Sequence, residues 1–327
     1  MYRSNGKLLF SASDLVGFLE CEHFTSLQLT DLEIPLPRAE DDAAAVLVQE
    51  KGHQHERLYL EQLQRSGARV TDLSALSGDV RGRIACTLEE MRAGADIIYQ
   101  GALGFDDFIG YPDFLRRVEV PSELGPFSYE VIDTKLATSV RTKFIVQLAF
   151  YSDCLTRAQG VTPVMMHLVL GDRREVSLRF ADYAKYVAQL RKRFEERVRA
   201  GVQSTYPDPC AYCDQCKWRQ VCDERRVADD HLCQVANVTR IQIKKLQDAG
   251  IRTLAALGSL NGNAKVPKIS RETLDRIRNQ ARLQLEARTT GSRKVERLPV
   301  EGDERGFARL PRPSPYDLFL CASGTRA

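Results

Sequence analysis

The segment Phe127–Leu136 restricts the fold most. It reads as a strand that alternates apolar Phe127, Tyr129 and Val131 with polar residues, yet Asp133 and Lys135 stand near its end. Side chains two apart on a strand share a face and lie about 7 Å from each other. An acid and a base on one face of an otherwise buried strand are costly unless they are paired or bind something. A solvated strand end closed by a salt bridge uses the same triplet, so its meaning depends on its neighbours.

Those neighbours alternate between strand and helix. Strands are expected at Ile97–Leu103 and Tyr111–Val120, around a turn-like 105–110, and the short connections favour an antiparallel meander with Phe127–Leu136. A helix at Thr142–Ala158, strands at Val164–Leu170 and Glu175–Phe180, and a charged helix at Ala181–Ala200 follow. Upstream, Leu15, Phe18 and Leu19 form a helical stripe that starts at an N-cap within Ser11–Asp14 and runs to Cys21. A longer helix spans about 42–64, with a short strand near 69–71 and a helix near 81–93. Gly52 lies inside the long helix, where glycine costs about 1 kcal/mol against alanine, so a close approach is expected there. Helices on both sides of a mixed sheet place residues 1–225 in the α/β or α+β class. Residues 226–288 read as a small all-α region, and 289–327 as a linker leading into a strand at Tyr316–Leu320.

Bulk properties mainly exclude. The net charge is only +3, so any basic surface must be local. No apolar run approaches the ~18 residues of a membrane span. The first residues lack a secretory signal, so a cytoplasmic setting is expected. No phosphate-binding loop of the NTPase type occurs. Nine cysteines are present, and Cys210, Cys213, Cys216 and Cys222 fall inside 13 residues. Without an export signal, that clustering reads as metal ligation before disulfides. Four thiolates suit zinc and iron–sulfur alike, and the set is either the four local cysteines or Cys213, Cys216 and Cys222 with Cys21.

A second carboxylate, Asp113, stands in Tyr111-Pro112-Asp113 at the start of the adjacent expected strand. Two carboxylates at one sheet edge can hold Mg²⁺ or Mn²⁺, and a nearby lysine can orient a water against a phosphodiester. Gln147 and Tyr151 are an i, i+4 pair on the next helix, and His55 lies three residues after Gly52 on the long one. The ordered set Gly52…His55, Pro112-Asp113, Asp133-x-Lys135 and Gln147-x-x-x-Tyr151 resembles the RecB-like branch of the PD-(D/E)xK nucleases. The resemblance implies a restriction-endonuclease-like core over residues 1–225. It implies a divalent metal on His55, Asp113 and Asp133, catalysis by Lys135, and Gln147 and Tyr151 close to DNA.

Cys21 with Cys213, Cys216 and Cys222 is similar to the layout of AddB-type and CRISPR-associated RecB-like exonucleases, which carry a [4Fe–4S] cluster. By that resemblance Cys210 is a reserve ligand, Trp218 packs into the site, and the cluster is a structural clasp. Zinc remains the alternative metal. Cys86 and Cys154 read as small buried residues.

In the C-terminal region, Asp248-Ala249-Gly250 separates two short helices within 235–260, as in a helix-hairpin-helix. Amides at the start of its second helix would meet a phosphate, although an ordinary helical hairpin fits equally. Residues 265–294 add nine basic side chains against three acidic ones, which favours nucleic-acid backbone contact. In larger proteins with an N-terminus similar to this one, the resemblance implies a ribonuclease H-like domain as the next module, so a truncated member or an N-terminal fragment, with a helicase or further nuclease domain missing, is expected. The resulting expectation is a metal-dependent DNA exonuclease of repair, recombination or mobile-element defence. A non-catalytic DNA-binding scaffold with the same fold is the alternative.

Overall fold

The computed structural model describes residues 1–4, 6–40, 43–296, 310–311 and 314–316, in two compact units, Met1–Asp229 and Asp230–Ala327. The first unit begins with the hairpin β1 (Tyr2–Ser4) and β2 (Lys7–Ser11), then α1 (Ala12–Glu20) and α2 (Glu22–Asp31). Helix α1 starts where the sequence places its cap, with the amide and hydroxyl of Ser11 donating to Asp14 Oδ2 at 2.8 and 3.0 Å. Next come α3 (Ala43–Arg65), β3 (Val70–Asp72), α4 (Val80–Arg92), β4 (Ile97–Tyr99), β5 (Leu103–Phe105), β6 (Phe108–Gly110) and β7 (Phe114–Val118). The unit continues through β8 (Ser128–Thr134), α5 (Thr142–Gln159), β9 (Met165–Val169), β10 (Glu175–Arg179), α6 (Ala181–Arg199) and α7 (Arg219–Ala228).

Six strands form one mixed sheet in the order β10-β9-β8-β7-β4-β3, in which β8–β9 and β3–β4 are parallel. The expected meander is present: β4 pairs with β7 and β7 with β8, both antiparallel. All seven residues of β8 are buried. Side-chain alternation divides it between two layers. Tyr129 and Val131 join the large core with Leu15, Leu148, Phe150 and Phe194, whereas Ile132 joins Tyr59, Phe114 and Val169 beneath α3. By the same alternation Asp133 follows Tyr129 and Val131 onto the α5 side.

Three local expectations are corrected. Ile97–Leu103 is not one strand, because Gln100 adopts a left-handed φ of 55° that ends β4, and Leu103 opens β5 in a second sheet, ordered β1-β2-β6-β5. The turn expected at 105–110 is the β5–β6 hairpin, reversing at Asp106 (φ 50°). Gly52 has nothing within 4 Å of the place a Cβ would take, so no close approach explains it among the described residues.

The second unit contains α8 (Arg240–Asp248), α9 (Leu254–Gly258) and α10 (Arg271–Thr290) around Leu232, Leu246, Leu257 and Ile277. Gly250 turns the chain at φ 81°. The amides at the start of α9 are already occupied: Ala255 donates to Asp230 Oδ2 at 2.8 Å and Ala256 to the Thr253 hydroxyl at 3.0 Å. They therefore offer no phosphate site, contrary to the expectation for this hairpin. The local basic excess is also partly neutralised. Arg271 and Arg278 pair with Asp275, Arg288 with Asp230, Arg282 with Glu286 and Glu296, and Lys294 with Glu286. The strand expected at Tyr316–Leu320 lies outside the described residues except for Tyr316.

Candidate active site

Strand register brings the two aspartates together. Phe114 pairs with Ile132 in the antiparallel β7–β8 ladder, so Asp113 and Asp133 come next on either side. Asp113 immediately precedes β7, after the buried Pro112, which has no amide to donate. Its Oδ2 accepts hydrogen bonds from the Thr134 amide (2.7 Å) and hydroxyl (2.8 Å), which fix the carboxylate.

Asp133 is fully buried and forms an ion pair with the Lys135 ammonium, while its Oδ1 accepts no hydrogen bond among the described residues. Burial first, and then the Asp113 carboxylate, push Asp133 up to about 7 against the pull of Lys135. Burial acts to lower Lys135, but Asp133, Asp113 and Glu56 outweigh it and the net shift is upward. The Lys135 ammonium also sits 5.8 Å from the centre of the Phe144 ring.

On α5, the Gln147 amide donates to the Tyr151 hydroxyl at 2.9 Å. Tyr151 is buried, and burial first, then Asp133, raise its pKa and keep the phenol neutral. A Cβ at Gly110 would lie 2.7 Å from the Tyr151 ring, so glycine lets β6 pack directly against it. The structure thus gathers Asp113, Asp133, Lys135, Gln147 and Tyr151 around the ends of β7 and β8.

His55 is buried on α3 with Nε2 3.4 Å from the Val169 carbonyl, and no contact with either aspartate is seen among the described residues. The group that α3 directs toward the carboxylates is Glu56. The Gln100 amide donates to Glu56 Oε1, and burial first, then Asp113, raise the Glu56 pKa. Gln100 is the residue in left-handed conformation, and its own backbone amide donates to the Asp113 carbonyl at 2.8 Å. Strained backbone thus links two of the three acids. The signal for Glu56 in the sequence is its place directly after His55 on the half-apolar helix.

The residues present fit a hard divalent cation. Glu56, Asp113 and Asp133 are an all-oxygen donor set, and the Asp133 oxygen without a hydrogen bond is a buried acceptor that lacks a donor. In the arrangement seen, no three His, Cys, Asp or Glu side chains among the described residues, whether these acids or the cysteines, converge closely enough to hold an ion.

A second cluster lies apart from these acids. Cys21, at the α1–α2 junction, lines one small pocket with Cys210, Cys213, Cys216 and Cys222. The fully buried Trp218 packs with Phe24 and Cys222 beside it. Arg226 Nη2 approaches Cys213 Sγ at 3.5 Å, and the Cys210 amide donates to the same sulfur at 3.4 Å. Burial opposes the Cys213 thiolate, but these donors outweigh it and its pKa falls. Cys154 is buried as expected, whereas Cys86 is only half-buried.

A family model described as the PD-(D/E)XK nuclease superfamily matches residues 18–223, well over half the chain. The chain belongs to the PD-(D/E)XK nuclease superfamily. The match spans α2 through α6, the acidic site and the late cysteines. Members of this superfamily are typically nucleases that use Mg²⁺ or Mn²⁺. No curated protein matches the chain. Among the described residues no helix is long and apolar enough to cross a membrane.

Proposed function

We propose that the chain is a Mg²⁺- or Mn²⁺-dependent deoxyribonuclease of the RecB-like branch, acting exonucleolytically on single-stranded or end-bearing DNA in repair, recombination or mobile-element defence. The observation that carries this reading is Asp133, a fully buried carboxylate whose Oδ1 has no donor among the described residues, set against Lys135 and beside Asp113. A divalent ion held by Asp113 and Asp133, with Glu56 or His55 beside them, would stabilise charge on the scissile phosphate. Thr134 keeps Asp113 aimed at that position. Lys135 stays protonated among three carboxylates, so it orients the attacking water and offsets developing negative charge rather than removing a proton. Gln147 would face the DNA backbone, braced by the buried, neutral Tyr151 whose hydroxyl it bonds.

Nuclease assays of Asp113→Ala and Lys135→Ala on single-stranded DNA with Mn²⁺ test the proposal. Each variant is expected to lose about 100-fold or more of the activity. Undiminished cleavage by both would remove this site. Wild-type protein that shifts DNA without metal-stimulated cleavage would favour the non-catalytic scaffold.

The pocket shared by five cysteines supports a [4Fe–4S] clasp on Cys21, Cys213, Cys216 and Cys222, with Cys210 in reserve. It would tie an early helix junction to the end of the family-matched region. Brown, anaerobically purified protein containing iron and acid-labile sulfide is expected. Colourless protein with stoichiometric zinc would assign the other metal. In the second unit, Lys265, Lys268, Arg276 and Arg293 carry no ion pair among the described residues and would supply further DNA-backbone contacts through their side chains rather than through the hairpin's amides. A helicase or further nuclease domain remains the proposed partner.

A further inference from the structure

A cavity of about 200 Å³ opens on the side of α3 away from Glu56, lined by His55, Gln62, Arg65, Val169 and Arg173 among others. Four of these carry side-chain N–H donors, two of them guanidinium groups, and no carboxylate lines the cavity. Val169 also lines it, and the Val169 carbonyl accepts the Lys135 amide at 2.9 Å and lies 3.4 Å from His55 Nε2. The cavity therefore shares a peptide group with the segment that positions the catalytic lysine.

Arg173 is presented from a turn held rigidly to that segment. Gly171 donates to the Ala137 carbonyl at 3.0 Å, and Arg174 Nη2 to the Thr138 carbonyl at 3.2 Å. A Cβ on Gly171 would stand 2.1 Å from the Leu136 oxygen, so turn and catalytic segment are in direct backbone contact. The two adjacent arginines are used differently. Arg174 is bound to Thr138 and Asp172, whereas the Arg173 guanidinium has no partner among the described residues. Arg173 also holds a left-handed φ of 65°, a conformation that favours glycine or asparagine, so the turn retains an arginine at a conformational cost. Arg65 donates Nε to the Glu61 carbonyl at 3.2 Å and approaches the Glu61 carboxylate at 3.5 Å, with three-quarters of its side chain exposed and the rest of its guanidinium open to a ligand.

We infer that this cavity is a phosphate subsite, in which Arg173 and Arg65 hold a backbone phosphodiester of the DNA strand next to the one being cleaved. The inference rests on the nuclease reading of the neighbouring site. It adds a strand-positioning contact that reads charge and not sequence.

The test is fluorescence anisotropy with a labelled single-stranded DNA oligonucleotide, in EDTA so that no cleavage competes, over a salt series. Arg65→Ala/Arg173→Gly is the variant, since glycine removes the guanidinium and suits the φ of 65°. Binding is expected to weaken about fivefold, and the slope of log K against log salt to shrink by about 0.7 for one lost phosphate contact. The melting temperature should not fall, which separates a lost ligand contact from a damaged turn. Unchanged affinity and slope would overturn the subsite while leaving wild-type cleavage, and hence the nuclease reading, intact. Weakening confined to an oligonucleotide bearing a terminal phosphate would overturn the assignment to a backbone phosphodiester. Failure of the wild-type protein to bind the oligonucleotide would overturn both.

Discussion

Asp133→Asn isolates the cost of keeping an acid in the centre of the sheet. The side chain keeps its shape but cannot ionise. In the native protein Asp133 is fully buried and its carboxyl is raised from an ordinary 3.8 to about 7, chiefly by burial. An acid raised from 3.8 to about 7 destabilises the fold by up to about 4 kcal/mol once the pH exceeds 7. The penalty is absent below the unfolded value, grows as pH climbs toward the folded one and is constant above it. Lys135 loses one partner in the variant, but its ammonium still faces Asp113 and Glu56. Urea unfolding without divalent metal should therefore show Asp133→Asn to be the more stable protein at pH 8, with the gap closing toward pH 4. Cleavage with Mn²⁺ should be lost at both pH values. A variant equal to or weaker than wild type at pH 8 would refute the reasoning, because the native carboxylate would then be stabilised by its surroundings.

Two further outcomes follow from the same framework. Gly171→Ala places a methyl group against the Leu136 carbonyl and should cost about 1–3 kcal/mol, measured as a lower melting temperature, with reduced cleavage because Lys135 adjoins the displaced residue. On the α3 side of the sheet, His167 bonds Glu130 and Glu175, and Arg116 pairs with Glu175. The His167 hydrogen bond is the main cause that holds Glu175 down at about 2. That stabilisation is present above the unfolded value of 4.5 and is lost as pH falls toward 2, so Glu175→Gln should unfold more readily at pH 6 and match wild type near pH 2. The raised His167 pKa runs the other way, contributing below 6.5 and fading as pH rises through its folded value. In Glu175→Gln the alkaline part of the stability curve should flatten, which equilibrium unfolding between pH 6 and 9 would show.

What was legible in the sequence came from short-range regularities. Asp133 and Lys135 share a face by strand alternation, and Gln147 and Tyr151 meet by helical spacing, so their gathering needed no tertiary information. Glu56 was not legible. Neighbours on a helix point about 100° apart, and only packing decides whether His55 or Glu56 turns toward the carboxylates. The split of Ile97–Leu103 depends on a left-handed Gln100, which nothing in its residue type signals. The paired β1 and β2 are too short for a periodic pattern to register. The basic stretch is less free than a window of sequence suggests, because that window omits Asp230, which folds back onto Arg288.

The complete burial of β8 has a consequence for how the protein fails. Local opening events spare the segments with the most buried contacts, and amides there exchange with solvent only on global unfolding. Asp133 is carried on such a strand, between β7 and β9. Deuterium should therefore reach the Val131–Thr134 amides among the last in the first unit. On heating, activity and the cooperative fold should disappear together, with no inactive but still folded form in between.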